Sequence, residues 1–301
     1  MRWTAHCVLG TILRFHGADH SPWRFDNATQ GVIRSYLRMR YALAPSLISA
    51  GRTTQRNGLP LAARCDLFWP NYTSARRNDQ YISTFADALV APLAETQTNR
   101  SVWVPPGVWE DAWDGTSLTG PRTIQVTQPF SRIPMWHRRG SVVITTDSTA
   151  LRVQEQDWHR LTIEAWPAAA ATSSARDLYL GDSHVSVALS SDGRGGVQLH
   201  VRRSGDDDPR ALAWLLRLHL APNEKLSDAF FDGGPVQVRH LEVAQKCADG
   251  PINFPFLRSA PACGAGPVAE IEIQEARPAS GWHLRAKAVA DLPPEGPPGG
   301  G

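Results

Sequence analysis

The chain has only three lysines, at positions 225, 246 and 287, no long apolar run and almost no net charge. Its 31 Lys and Arg stand against 29 Asp and Glu, a formal charge of +2. That balance is wrong for a protein whose main partner is a polyanion, so nucleic acid is not expected. No stretch approaches the roughly 20 apolar residues needed to cross a bilayer, so no membrane span is expected either. The start, "MRWTAHCVLGTILRFHG", only faintly imitates a signal peptide, because His6 interrupts the apolar run and no small-residue cleavage site follows. Four cysteines, at 7, 65, 247 and 263, show no C-x-x-C or Cys/His ligand spacing, so neither a structural zinc nor any other metal or cofactor is expected. Whether Cys247 pairs with Cys263 stays open.

What the chain does have is length, hydrophobicity and tryptophan. With 301 residues, 42% of them hydrophobic and eleven of them Trp, two or three domains can each build a core. Between 30 and 50, "QGVIRSYLRMRYALAPSLISA" places Ile33, Leu37, Tyr41, Ala44 and Ile48 three and four apart, which predicts an amphipathic helix. Asp26, Asn27 or Thr29 can cap it, Pro45 should kink it and Gly51 suits its end. Residues 2–12 predict a shorter helix leading into an apolar run, Ile12 to Phe15, that reads as a strand. After Gly58 the texture becomes short β-rich runs such as "SVWVPP", "GSVVITT", "HVSVALS" and "GVQLHVR", split by Gly, Pro, Asn and Asp, which predicts antiparallel sandwiches. A break near 146–152 and an Ala-rich loop over 166–176 divide the β region. The expected units are a segment of strand, loop and helix over 1–57, β domains over 58–148 and 149–288, and a disordered Pro/Gly tail over 289–301. One strand and one helix cannot close a sheet, so further strands are expected before residue 1. Three N-x-S/T sequons begin at Asn27, Asn71 and Asn99.

Ordered motifs make this layout resemble glycoside hydrolase family 31, the α-glucosidases, α-xylosidases and glucosidase II catalytic subunits. "RW" at 2–3, "RFH" at 14–16, "PW" at 22–23 and "RYALAP" at 40–45 resemble the end of the family's barrel. "GLPLAAR", "DQY", "DALVAPL", "VWVPPGVWEDAWDG" and "RIPMWHRRGSVV" resemble its proximal β-sandwich in family order, and "DLYLGDSHVS" and "GWHLR" more loosely its distal one. The implied fold is mainly β, a terminal βα unit of an incomplete TIM (β/α)8 barrel followed by two antiparallel β-sandwich domains. Phe85 and Arg139 stand where the family has Gly, and "GDS" at 181–183 replaces an acidic turn.

A retaining glycosidase needs two carboxyl groups about 5 Å apart. The resemblance puts both on strands before the R-x-H motif, upstream of Met1, so the chain is expected to be the C-terminal part of such an enzyme, inactive alone. Asp19 and Asp26 flank Trp23 and mimic a catalytic pair, but they read better as a solvated turn residue and a helix cap. The resemblance makes His16 a hydrogen-bonding partner of sugar hydroxyls. Arg14 either orients a carboxylate, contacts sugar or forms a buried ion pair. Trp23 either closes the sugar pocket or packs the loop onto the helix, with packing favoured. Trp103, Trp109 and Trp113 read as core rather than sugar platform, and His137, His159, His184 and His219 as ordinary surface or core residues. The implied partner is an α-linked oligosaccharide or glycan. The sequons and the glucosidase II likeness point toward the secretory lumen. The alternatives are a non-catalytic carbohydrate-binding β-sandwich protein and a structural module making subunit contacts through its β domains.

Overall fold

A computed structural model describes residues 1–94, 96–146, 150, 152–180, 183–205, 212–221, 223–232, 234–241, 268–274 and 281–290. Three helices come first: α1 (Arg2–Val8), α2 (Asn27–Ala42) and α3 (Ala44–Asn57). Asp26 is the residue that caps α2, its carboxylate accepting the Thr29 amide at 2.9 Å and the Thr29 hydroxyl at 2.7 Å. These bonds hold its carboxyl below the usual range. Asp26→Ala is expected to lower the melting temperature slightly and Asp26→Ser to restore most of the loss, since Ser keeps an acceptor for the orphan amide. Thermal melts of the three proteins check this.

Pro45 sits in the first turn of α3 and has no N–H to donate back into α2, which breaks the helix at Leu43. Gly51 does not end the helix as expected. The chain runs on to Asn57 and stops at Gly58, whose φ of 74° is the left-handed conformation a helix terminus favours. Gly51 fails as a stop because no turn geometry there demands its freedom.

The strands follow in chain order. Six of them, β1 (Ala62–Ala63), β2 (Tyr81–Ser83), β3 (Ala88–Val90), β4 (Asn99–Asp111), β5 (Ser117–Thr127) and β6 (Met135–Arg138), form one sheet in the order β1-β2-β3-β6-β4-β5. One face of this sheet packs on the helices through Phe85, Ala88, Val90 and Met135 against Val8, Tyr36, Met39 and Leu43. The opposite face gathers Leu89, Val102, Trp103, Trp109 and Trp136. The Phe85 side chain is fully buried in that first core, so a bulky group occupies space where the family pattern has Gly.

The remaining strands are β7 (Ser141–Thr146), β8 (Arg160–Trp166), β9 (Thr172–Leu180), β10 (Ser183–Ser191), β11 (Gly196–Ser204), β12 (Ala213–His219), β13 (Glu224–Phe231), β14 (Gly234–Pro235), β15 (Arg239–Leu241), β16 (Val268–Gln274) and β17 (Gly281–Ala290). They make two sheets, β14-β13-β17-β11-β10-β9 and β15-β16-β12-β8-β7. Alternate residues, Val185, Val187 and Leu189 on one side and Leu161, Ile163, Leu216 and Leu218 on the other, fill the core between them. The class is mainly β, as expected.

Three local expectations need correction. Ile12 to Phe15 forms no strand, because no described strand lies beside it to complete a ladder. The Ala-rich loop is shorter than 166–176: β8 keeps Trp166 and β9 begins at Thr172, where pairing with β10 outweighs the weak propensity of Thr-Ser-Ser-Ala. Finally, β8 and β12 run parallel, so the second β layer is not antiparallel throughout. Cys247, Cys263 and residues 291–301 lie outside the described residues, whereas Val289 and Ala290 of the expected tail end β17.

Side chains tie the layers together. Ser46 bridges α3 to β7 by donating to the Ile144 carbonyl at 2.8 Å and accepting its amide at 3.0 Å. Arg176 of β9 reaches the Thr84 carbonyl at 2.7 Å and pairs with Asp87. Arg139 pairs with Glu110 at 2.6 Å and donates to the carbonyls of His219 and Leu220 at 2.6 and 2.9 Å. The second residue that replaces a family Gly is therefore a cross-link between sheets. Burial pushes the Glu110 carboxyl up against the opposing pull of Arg139.

Candidate functional site

The segment between α1 and α2 carries the residues singled out for chemistry. Its start is fixed by one side chain, Arg40 of α2, whose guanidinium donates to the carbonyls of Val8 at 2.8 Å, Gly10 at 2.9 Å and Thr11 at 2.8 Å. A cation there satisfies carbonyls that the end of α1 leaves without amide partners and complements the helix dipole. Sequence patterning assigned Arg40 no role of its own beyond its place at the head of the "RYALAP" motif and in the last turn of α2.

From Ile12 to His16 exposure alternates with a period of two. Ile12, Arg14 and His16 face outward, while Leu13 and Phe15 are half-buried, Leu13 against the helical core. This is the side-chain parity of an extended chain without a paired neighbour. Arg14 and His16, two residues apart, therefore share one face. The buried ion pair considered for Arg14 does not form, since its side chain lies in solvent.

Gly17, at φ 95°, turns the chain into two short 3-10 turns, Ala18–His20 and Pro22–Arg24. Asp19 pairs with Arg24 at 2.6 Å, with both side chains largely in water, where such pairs contribute little. The Gln30 amide donates to the Phe25 carbonyl at 2.7 Å and tethers the end of the turn to α2. Trp23 is 74% exposed, so its ring does not pack the loop onto the helix as expected. No hydrogen bond or ring contact joins Trp23 to Arg14 or His16 among the described residues.

Asp19 and Asp26 are not arranged for acid/base work. A general acid needs a carboxyl raised toward neutral pH by burial. Both Asp26 oxygens are committed to Thr29, and its carboxyl is shifted the opposite way. Trp103, Trp109 and Trp113 are buried and unavailable to a sugar. His137 and His219 sandwich Trp166, with ring centroids 4.2 and 4.4 Å apart, and burial pushes the His137 imidazole down to about 3. Among the described residues no group of three His, Cys, Asp or Glu side chains could hold a metal ion.

Known proteins match this chain in two blocks. Residues 1–50 fit the glycosyl hydrolases family 31 TIM-barrel domain and residues 58–143 the family 31 C-terminal domain. A 1,6-alpha-glucosyltransferase of Sporosarcina globispora is 26% identical over 157 residues, 48% of this chain and 12% of its own length. An alpha-xylosidase of Saccharolobus solfataricus is 26% identical over 178 residues, 56% of this chain and 23% of its own. Among solved structures, a Flavobacterium johnsoniae family 31 dextranase complexed with isomaltotriose superposes with a TM-score of 0.69 at 19% identity, over 90% of this chain and 34% of that one. A glucosidase II alpha subunit does so at 0.65 and 16%, over 89% and 30%. These structural likenesses establish the shared fold. The chain spans 12–17% of the length of the first three curated relatives.

Proposed function

The chain belongs to glycoside hydrolase family 31, carrying part of its barrel domain and its C-terminal domain, and from that membership we propose that it is the non-catalytic side of an enzyme cleaving or transferring α-glycosyl groups. The observation that carries this reading is the outward face of Ile12, Arg14 and His16, held in register by Arg40 directly after α1. His16 donates and accepts hydrogen bonds to sugar hydroxyls as a neutral imidazole. Arg14 orients a carboxylate or contacts the sugar, and the exposed Trp23 ring offers an apolar face to a pyranose. An α-linked oligosaccharide is the ligand class. The reacting pair of carboxylates is not Asp19 and Asp26, so this chain alone does not turn over substrate.

The expected result is no release of nitrophenol from an aryl α-glucoside by the purified chain. Turnover that disappears in Asp19→Asn or Asp26→Asn would revive the local pair and overturn the proposal. Titration calorimetry with isomaltotriose tests the pocket wall: heat lost on His16→Ala supports it, and heat unaffected by His16→Ala, Arg14→Ala and Trp23→Ala locates sugar elsewhere. A bracing role for the β layers accompanies this reading, because Arg139, Arg176 and Ser46 each link two layers through buried or half-buried bonds.

A further inference from the structure

The three N-x-S/T sequons occupy very different local structures. Asn27 is the first residue of α2, and its partner Thr29 has both amide and hydroxyl engaged by the Asp26 carboxylate. Asn99 opens β4 opposite Thr127, and Ser101 of the same sequon pairs with Gln125 while its carbonyl accepts from Arg77 at 3.0 Å. Both sequons lie in elements built from contiguous sequence, a capped helix and a hairpin. The cap bonds of Thr29 and the β4–β5 ladder engage each tripeptide directly, and so compete with any enzyme that must draw it into its own site.

Asn71 differs. It occupies the tip of a turn closed by the Tyr72 amide on the Trp69 carbonyl at 3.2 Å, in the long connection between β1 and β2. Asn71, Tyr72 and Thr73 are all exposed, and the Asn71 and Thr73 side chains have no hydrogen bond to a described residue. Beside the turn, three apolar side chains stay in water: Leu67 at 57%, Phe68 at 38% and Tyr72 at 39% exposure. Phe68 lies three residues before the Asn, and aromatic faces of this kind pack against the apolar faces of pyranose rings.

We propose that Asn71 is the acceptor of an N-linked glycan, and that Asn27 and Asn99 are not. In the reaction the Asn71 side-chain nitrogen attacks the anomeric carbon of a lipid-diphosphate-linked oligosaccharide. The new N–C bond forms as the C–O bond to the diphosphate breaks, the amide loses one proton and the lipid diphosphate leaves. The first sugars then cover Phe68 and Tyr72, which removes an apolar patch from water. The site is independent of the sugar-pocket reading, because it lies in another segment and needs no substrate.

The test is to send the full chain through the secretory lumen of a glycosylating eukaryotic host behind a cleavable leader. The expected product carries one glycan, seen as a single mobility step erased by peptide N-glycosidase. N71Q and T73V each abolish the step, T73S keeps it, and N27Q and N99Q leave it unchanged. T73V retains Asn71 itself, and circular dichroism of secreted N71Q and T73V separates lost modification from lost folding. A step that survives N71Q, or a wild-type chain secreted without any glycan, overturns the proposal.

Discussion

Arg217→Met is expected to lower the unfolding free energy by about 3–5 kcal/mol, read as a shift of the urea midpoint at neutral pH. Arg217 stands in β12 between two buried carboxylates, its Nε 2.8 Å from Glu270 and its Nη1 3.3 Å from Glu164. Glu164 also bonds His219 at 2.7 Å, and Glu270 pairs with Arg239. The carboxylate side chains are only 3% and 5% exposed. Against the upward push of burial, Arg217 and His219 hold the Glu164 carboxyl below its ordinary value. Removing the guanidinium leaves Glu164 with His219 alone and Glu270 with the largely exposed Arg239 alone, so two buried charges are underpaired where water cannot replace the lost partner, and that desolvation dominates the loss. Replacing Arg217, Glu164 and Glu270 together by apolar residues of similar volume is expected to recover most of the stability, since the network as a whole gains little over good packing. A loss below about 1 kcal/mol for the single variant, within the range of exposed pairs, would mean that water reaches the cluster.

This network also shows where sequence reading stopped. Short β-rich runs identified β8, β10 and β11 because the signal is local: β10 and β11 bury alternate side chains, and β8 buries every residue after Arg160. Asp26 was legible as a cap for the same reason: its partner Thr29 is three residues away. Glu164, Arg217 and Glu270 come from strands 53 residues apart in successive steps, and β8 meets β12 in parallel, a pairing no local pattern encodes. Ile12 to Phe15 failed in the opposite direction. Its apolar run read as a strand, but a strand requires a hydrogen-bonded neighbour as well, and the shared exposed face of Arg14 and His16 survives without one. For Trp23 the favoured packing gave way to exposure, because the Pro22–Arg24 turn that leaves its ring 74% exposed depends on geometry after Gly17 that no local pattern encodes. The motifs were therefore a better guide to which residues share a face than to what covers that face.

Asp111→Asn is expected to stabilise the chain most at alkaline pH, by up to about 4 kcal/mol, and hardly at all near pH 4. Asp111 ends β4 with a side chain nearly out of water, and its Oδ1 accepts the amides of Trp113 at 2.8 Å and Asp114 at 3.3 Å. Burial, with the neighbouring Asp114 charge, pushes its carboxyl up to about 7 from an ordinary 3.8. Between those two values the folded chain keeps a proton that the unfolded chain has released. Unfolding then releases that proton, so this residue's contribution to stability falls as pH rises through that window and stays low above it. Asn keeps the amide acceptor and cannot ionise, which leaves the turn closed and removes the buried charge. Glu164 works in the opposite sense: its lowered carboxyl contributes stability above the ordinary range that is lost on acidification, so the wild-type profile alone mixes the two. The difference between wild type and Asp111→Asn isolates one residue, and urea unfolding at pH 4, 6 and 8 should show it widening stepwise. A difference that is constant across those three pH values would assign the effect of the substitution to packing and place the Asp111 titration back in the usual carboxylate range.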